Sequence, residues 1–391
     1  MQWKNKGHEF DHIGKMFERI DTIYLWGAGI TGEKIAKTFL KFNLDIIFVD
    51  INPLVEWKRI YDREYKVEPL KKILDIQKEN SLLLICLKES SLDNAILTAT
   101  NARWILQKNL FNAVDFCNEF LSLFLLYNSN ILYAGLKDVL TLSFNEKCTL
   151  NCKNCNASIP YIREPMNVPV ENVISDADIL FNRFDYIEIL RIGGAETLMY
   201  KDIDKIVTYI HKNYNNKYGC MELTTNGTIS VEENTLDLFT KCRVRVCISD
   251  YSNQFPKFKD MHLKLISKLE KAQTMYSYLQ DMEWVDFGFN TTEIKAIGDY
   301  TLWHDCCAHP CKDYRNGIIY GCSQAYWAKR RYPEYSDSCD ELNIKKCDDK
   351  KIIYEYLKGY NERGYLLPCI ICNGHTNLNR NIIPVAEQLR R

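Results

Sequence analysis

Apolar residues recur along this chain in two alternating rhythms. Short apolar runs bounded by Gly, Asn or Asp give way to stretches in which apolar positions return every three or four residues, and the first pattern predicts strands, the second helices. Thr22-Ile23-Tyr24-Leu25-Trp26 predicts a strand, 33–40 a helix, and 44–49 a second strand ending in Asp50. Residues 81–86 predict a third, buried strand, and 113–116 a fourth. Residues 119–135 predict an amphipathic linking helix. Beyond it the rhythm repeats: strands at 139–144, 186–192, 221–224, 244–248 and near 284–289, with helices at 170–184, 203–214, 231–242 and 261–274. Repeated βα units of this length predict an α/β chain with a parallel sheet or partial barrel, whose function lies at the C-terminal strand ends. Residues 1–118, 119–135, 136–300 and 301–391 are the predicted divisions.

Composition narrows the reading. The formal net charge of the 391 residues is −1, which gives no basic field for nucleic acid or an anionic membrane. The first residues, Met1 to His8, form no apolar segment of signal-peptide type. The apolar stretch around Phe120 to Leu126 is too short to span a bilayer. Sixteen cysteines without an export signal predict a reducing compartment, the cytoplasm, and metal ligation rather than a disulfide scaffold.

In the first division, Gly27, Gly29 and Gly32 form G-x-G-x-x-G between strand and helix, and Asp50 follows about twenty residues on. This is the pattern of a Rossmann βαβ unit. The glycines permit a tight turn and close helix–strand packing, and the acid can accept from ribose hydroxyls. NAD, a nucleotide sugar, or no ligand at all are the readings left open for this short module.

The chemistry concentrates after the strand at 139–144. Cys148, Cys152 and Cys155 form C-x3-C-x2-C. Three thiolates this close cannot all pair as disulfides, but a short loop can wrap them around one face of a metal cluster and leave one iron open. The alternatives are a structural zinc site, which usually closes four ligands, and scattered core thiols. The array resembles the signature of the radical S-adenosylmethionine (SAM) superfamily. The resemblance implies a partial (β/α)6 barrel. It implies a [4Fe–4S] cluster whose open iron takes the amino and carboxylate groups of SAM, and an electron that splits SAM into methionine and a 5′-deoxyadenosyl radical. It also implies a one-electron donor of flavodoxin or ferredoxin type.

Further motifs follow in family order. Gly193-Gly194-Ala195-Glu196 resembles the Gly-Gly-Glu-Pro motif that holds the SAM amino group, with Ala195 and Thr197 as departures. Thr225, Asn226 and Ser249 match in position the polar strand ends that hold the ribose and carboxylate of SAM. Read alone, they are a turn and a helix cap. The loop position that is often aromatic in the superfamily is Asn154.

A second burst of cysteines closes the chain. Gly317 to Cys322 is similar to the G-x4-C hairpin of the SPASM and twitch extensions of radical SAM enzymes, with Cys369 and Cys372 as the closing pair. The resemblance implies an auxiliary [4Fe–4S] cluster on Cys307, Cys322, Cys369 and Cys372, with Cys306 or Cys311 as replacements for Cys307. A zinc ribbon is the alternative. His304, His309 and His375 lie near this burst and read as surface or supporting groups. Lys329-Arg330-Arg331 reads as a solvated turn.

Taken together, the resemblance implies an oxidoreductase or lyase that abstracts hydrogen from a small molecule, with a sugar or nucleotide-linked sugar favoured by the N-terminal module. The other readings are a maturase of a ribosomal peptide and a non-catalytic metal-binding scaffold.

Overall fold

The computed structural model describes residues 1–75, 80–280, 283–289, 306, 310–375 and 379–389. They form two compact units: Phe10–Ile131, and Met1–Glu9 together with Leu132–Arg391. His304, Cys307 and His309 lie outside the described residues.

In the unit Phe10–Ile131, six strands are β1 (Thr22–Trp26), β2 (Ile46–Asp50), β3 (Trp57–Ile60), β4 (Arg63–Pro69), β5 (Ser81–Ile85) and β6 (Leu110–Asn112). They lie in the order β3-β4-β2-β1-β5-β6. Neighbours are parallel except the β3–β4 hairpin. Every residue of β5 is buried, as expected of a central strand covered on both faces. Tyr24, Trp26, Leu83, Ile85 and Trp104 make one core. The rings of Phe17, Phe116 and Phe124 meet edge-on about Phe17, at 5.8 and 5.6 Å.

The strand expected at 113–116 is absent. The Asn112 side chain accepts from the N–H groups of Val114 and Asp115 and turns the chain into helix, as a capping residue does. That helix runs through a π segment, Phe116–Phe120, into Leu121–Ser129 and stops at Asn130 in the left-handed region.

In the other unit, β7 (Tyr133–Ala134), β8 (Val139–Asn145), β9 (Tyr186–Gly194), β10 (Tyr218–Thr225), β11 (Val244–Ser249), β12 (Tyr276–Leu279), β13 (Trp284–Val285), β14 (Cys311–Arg315), β15 (Ile318–Tyr320), β16 (Glu341–Asn343) and β17 (Ile382–Ile383) follow in sequence. The main sheet runs β12-β11-β10-β9-β8-β14-β15-β16, with β7 beside β9. From β12 to β14 all six strands are parallel. β15 and β16 extend the sheet antiparallel. Helices Val170–Arg183, Ile203–Tyr214, Glu233–Lys241 and Lys257–Lys271 connect the parallel strands from β8 to β12.

Alternation decides which face does what. Leu140, Leu142, Leu190, Ile192, Met221, Leu223, Val244 and Val246 are buried and share the face that takes the helices. Thr141, Arg191, Glu222 and Arg245 stand in register on the opposite face.

Two expectations shift here. The parallel strand after the helix at 257–271 is Tyr276–Leu279, not a strand at 284–289. Its half-exposed Tyr-Ser-Tyr-Leu pattern gives little apolar signal. Trp284–Val285 pairs antiparallel with Ile382–Ile383 instead. The hairpin expected in a separate cysteine-rich domain joins the main sheet, because β14 lies parallel beside β8.

Residues 1–9 are held by one buried carboxylate. Glu355 accepts from Trp3 Nε1 at 2.7 Å and from the N–H groups of Gly7 and Glu9 at 2.8 Å each. No helix among the described residues is long and apolar enough to cross a membrane.

Candidate functional site

The C-terminal ends of β8, β9, β10 and β11 converge, and each carries residues singled out by the sequence. β8 ends at Asn145, whose side chain organises the start of the cysteine loop. Its Nδ2 donates to the carbonyls of Lys147 and Glu196, at 3.0 and 2.6 Å, and its Oδ1 accepts from Lys147 N–H at 3.0 Å. The ladder between β8 and β9 carries past the strands, with Ala195 N–H donating to the Asn145 carbonyl and Glu196 N–H to that of Lys147, both at 3.0 Å.

This crossing explains the glycines. A Cβ on Gly194 would stand 1.9 Å from the Asn145 carbonyl oxygen, and one on Gly193, at φ +132°, would stand 2.1 Å from Thr197 Oγ1. The neighbour at Gly194 is backbone and cannot swing away. Gly194→Ala is therefore expected to cost at least about 1–3 kcal/mol by overpacking. It should also dislodge the loop stem, read as iron lost from reconstituted protein on gel filtration.

Glu196 is fully buried. Its two carboxylate oxygens accept from the N–H groups of Leu198 (3.1 Å) and Asn226 (2.8 Å). Burial pushes its pKa up, against those bonds and one from Thr225. The side chain thus ties the end of β9 to the end of β10.

Asn226 in turn reaches the cysteine loop. Its Nδ2 donates to Thr149 Oγ1 at 3.0 Å and to Cys148 Sγ at 3.6 Å, while its Oδ1 accepts from Thr228 N–H at 3.0 Å. Thr225 Oγ1 accepts from Gly227 N–H at 3.0 Å.

Sequence reasoning missed His262 and Tyr251. His262 is fully buried behind this turn. Its Nε2 donates to the Asn226 carbonyl at 2.9 Å, and its Nδ1 lies 3.3 Å from Tyr278 Oη and 3.4 Å from Asp250 Oδ1. Gly227, at φ +69°, leaves the imidazole its room. Tyr251 hydrogen-bonds Ser249 and lies within electrostatic reach of all three loop cysteines. It brings an aromatic side chain to a loop whose own position for one is Asn154.

The three loop thiols lie within electrostatic reach of one another. Burial pushes Cys148 up to about 11 and Cys152 up to about 12, and their neighbouring thiols add to both. Burial pushes Cys155 up against three backbone N–H groups. Thiols so placed ligate only when a metal's positive charge draws off their protons.

The second gathering is Cys306, Cys322, Cys369 and Cys372. Burial, then the neighbouring thiols, push Cys369 and Cys372 well up, and burial, with a further push from Cys306, takes Cys322 to about 12. Gly374 N–H donates to Cys372 Sγ and His375 N–H to Cys306 Sγ, both at 3.3 Å. Cys311 instead opens β14 in register with Val139. Among the described residues no three His, Cys, Asp or Glu side chains converge tightly enough for a single metal ion.

The two cysteine sites share a wall. Ala157, Ile159 and Ile162, just past Cys155, pack on the cluster of Tyr320, Cys322, Tyr326 and Trp327, and Cys369 packs on the same cluster. Beside that wall Arg330 sits in the last turn of the helix Ser323–Arg331, not in a solvated turn. It donates to Glu146 Oε2 at 3.1 Å.

In the other unit the glycine loop and Asp50 meet at the ends of β1 and β2. A Cβ on Gly32 would lie 2.0 Å from the Gly27 carbonyl, so the glycine serves helix–strand approach. Asp50 Oδ2 accepts from Ala28 N–H and Oδ1 from Asn52 N–H, each at 2.9 Å, so the chain's own backbone uses both oxygens. Gly29 caps the helix Ile30–Leu40. A cavity of about 800 Å³ opens on the β4 side, lined by Asp50, Trp57, Lys66, Leu70 and Lys72 among others.

Residues 142–249, from β8 to the last residue of β11, match the Radical SAM superfamily. No curated protein matches the chain. Among solved structures it is similar to BtrN in complex with AdoMet and 2-DOIA, at 16% identity over 64% of this chain and 100% of that one, with a TM-score of 0.41. It is also similar to native anSMEcpe with bound AdoMet, at 13% identity over 59% and 83%, TM-score 0.40. A third likeness is to RSP, a Rex-family repressor, at 19% identity over 26% of this chain and 50% of that one, TM-score 0.21.

Proposed function

We propose that this chain, whose residues 142–249 belong to the radical SAM superfamily, cleaves SAM reductively and abstracts hydrogen from a small polar substrate, a sugar or nucleotide-linked sugar, which is then oxidised or rearranged. The observation that carries the reading is the convergence of Cys148, Cys152 and Cys155 with the ends of β9, β10 and β11. A [4Fe–4S] cluster on those thiolates would supply the electron that splits bound SAM, and the 5′-deoxyadenosyl radical so released would remove the substrate hydrogen.

The residues around the loop divide that work. Gly193, Gly194, Thr225, Asn226 and Ser249 line the strand ends where SAM would lie. Glu196, fully buried, acts as a positioning residue: it holds the Asn226 backbone, and the Asn226 side chain holds the loop. Cys306, Cys322, Cys369 and Cys372 are assigned to the auxiliary [4Fe–4S] cluster, with Cys306 in the place expected of Cys307.

The polar face of the sheet supports the substrate class. Glu222 is flanked in register by Arg191 and Arg245, with N–O distances of 2.5 and 3.4 Å. Both guanidinium side chains are about one-third exposed, against 8% for Glu222. Two cations against one anion leave this trio with a net positive charge. It suits a substrate bearing a phosphate or carboxylate, as guanidinium groups pair with both.

The test is 5′-deoxyadenosine formation from SAM by anaerobically reconstituted protein with a strong chemical reductant. We expect equimolar methionine and 5′-deoxyadenosine. Protein that holds a full iron complement and forms neither would overturn the reading.

A further inference from the structure

Residues 386–389 lie against the cysteine loop as a short antiparallel partner. Cys152 and Gln388 form a β-bridge. On one side of it Leu389 N–H donates to the Asn151 carbonyl at 2.9 Å, and on the other Lys153 N–H donates to the Glu387 carbonyl at 2.6 Å. The Gln388 side chain then turns onto the loop. Its Oε1 accepts from Asn151 N–H at 2.7 Å, and its Nε2 donates to Cys152 Sγ at 3.1 Å and to the Ala386 carbonyl at 2.7 Å. The amide orientation is forced, because Asn151 N–H can only donate and the Ala386 carbonyl can only accept.

We propose that Gln388 is a positioning residue that sets the reduction potential of the loop's cluster by holding and hydrogen-bonding the Cys152 thiolate. The inference rests on the radical SAM reading above. When an iron–sulfur cluster takes up an electron, part of the added charge spreads onto its thiolate sulfurs. An N–H donated to one of those sulfurs stabilises the reduced form more than the oxidised form and raises the potential. The geometry gives this donor unusual purchase. Cys152 is buried, at 7% exposure, so little water competes for its sulfur. The contact is shorter than those made to Cys148 by Leu150 N–H at 3.4 Å and Asn226 Nδ2 at 3.6 Å. The donor is itself fixed at both ends, so it cannot swing away when the charge on sulfur changes.

Two variants separate hydrogen bonding from clamping. Gln388→Glu keeps an oxygen for Asn151 N–H, removes the N–H donated to sulfur and adds a negative charge that lowers the midpoint in the same direction. Gln388→Leu removes both. The readout is a potentiometric titration followed by electron paramagnetic resonance, using the reduced-cluster signal that changes on SAM addition, which marks the cluster with the open iron. No substrate is needed.

In Gln388→Glu we expect the ratio of reduced to oxidised cluster, poised at the wild-type midpoint, to fall about tenfold, a shift of about 59 mV to lower potential for one electron. Gln388→Leu should shift in the same direction or lose iron from this site. Gln388→Glu with full iron and a wild-type midpoint overturns the proposal, whatever Gln388→Leu does. Wild-type protein that gives no SAM-responsive signal at all would instead overturn the radical SAM reading.

Discussion

Replacing Cys148, Cys152 and Cys155 together by alanine should abolish 5′-deoxyadenosine formation and leave the fold in place. The geometry separates the two outcomes. The loop's frame is backbone: Cys155 N–H donates to the Cys152 carbonyl at 3.1 Å, Ser158 N–H to the Cys155 carbonyl at 2.8 Å, and Glu196 N–H to the Lys147 carbonyl at 3.0 Å. None of these needs a sulfur atom. The sulfurs receive weak contacts, from Leu150 N–H, Asn226 and Gln388 and, at Cys155, from the N–H groups of Ala157, Ser158 and Ile159, each worth about 1 kcal/mol or less. Iron should drop by about four atoms per chain, one cubane, while circular dichroism stays unchanged. A variant that still forms 5′-deoxyadenosine, or keeps all its iron, would remove the loop from the chemistry.

Much of this site was legible because it is local. The strand 139–145, the cysteine spacing and the glycines after β9 lie within short windows, and each has a periodic or conformational cause that leaves a mark in sequence. Gly194 is a good case. The need for a residue without Cβ against the Asn145 carbonyl is a backbone fact, and only glycine meets it. Asp50 shows the limit of such reading: its position fits a Rossmann acid, but the geometry has Ala28 and Asn52 N–H groups on its carboxylate.

What stayed hidden is what long-range topology brings in. β14 lies beside β8 with about 170 positions of chain between them, and nothing in Cys311-Lys312-Asp313-Tyr314-Arg315 announces that neighbour. The same holds for Cys306, which joins Cys322, Cys369 and Cys372 although the spacing favours Cys307 and Cys306 only nearly fits it. Gln388 lies more than 230 positions from Cys152, and a lone glutamine carries no pattern. His262 hides within an amphipathic helix, where a buried imidazole reads as one more inward position. β12 was displaced because its side chains are half exposed at the sheet edge, so the alternation that marks a strand is faint.

Arg315→Met should be the most destabilising single change in this unit, and it should loosen both cysteine sites together. Arg315 is buried between two buried carboxylates. Its Nε donates to Asp313 Oδ1 at 2.9 Å, and its Nη1 lies 3.4 Å from Glu146 Oε1. Burial opposes its charge, but Asp313, Tyr326 and Glu146 hold its pKa above the ordinary value. The guanidinium also stacks over the Tyr326 ring, 3.4 Å from its centroid, and Tyr326 Oη donates to Glu146.

Methionine fills similar volume but strands Asp313 beside Ser143, and leaves Glu146, among the described residues, with the partly exposed Arg330 as its charge partner. Removing one partner of such a buried set costs about 3–5 kcal/mol, measurable as a lower denaturant midpoint in anaerobic protein. Adding Asp313→Asn should restore part of the loss, since a neutral amide tolerates burial without a cation. The site consequence follows from position. Glu146 stands two residues before Cys148, Arg315 ends β14, and Tyr326 lies four residues after Cys322. One buried charge set therefore braces the stems of both cysteine gatherings, and iron should become more readily chelated from both. If only one site releases iron faster in Arg315→Met, the two stems are braced independently.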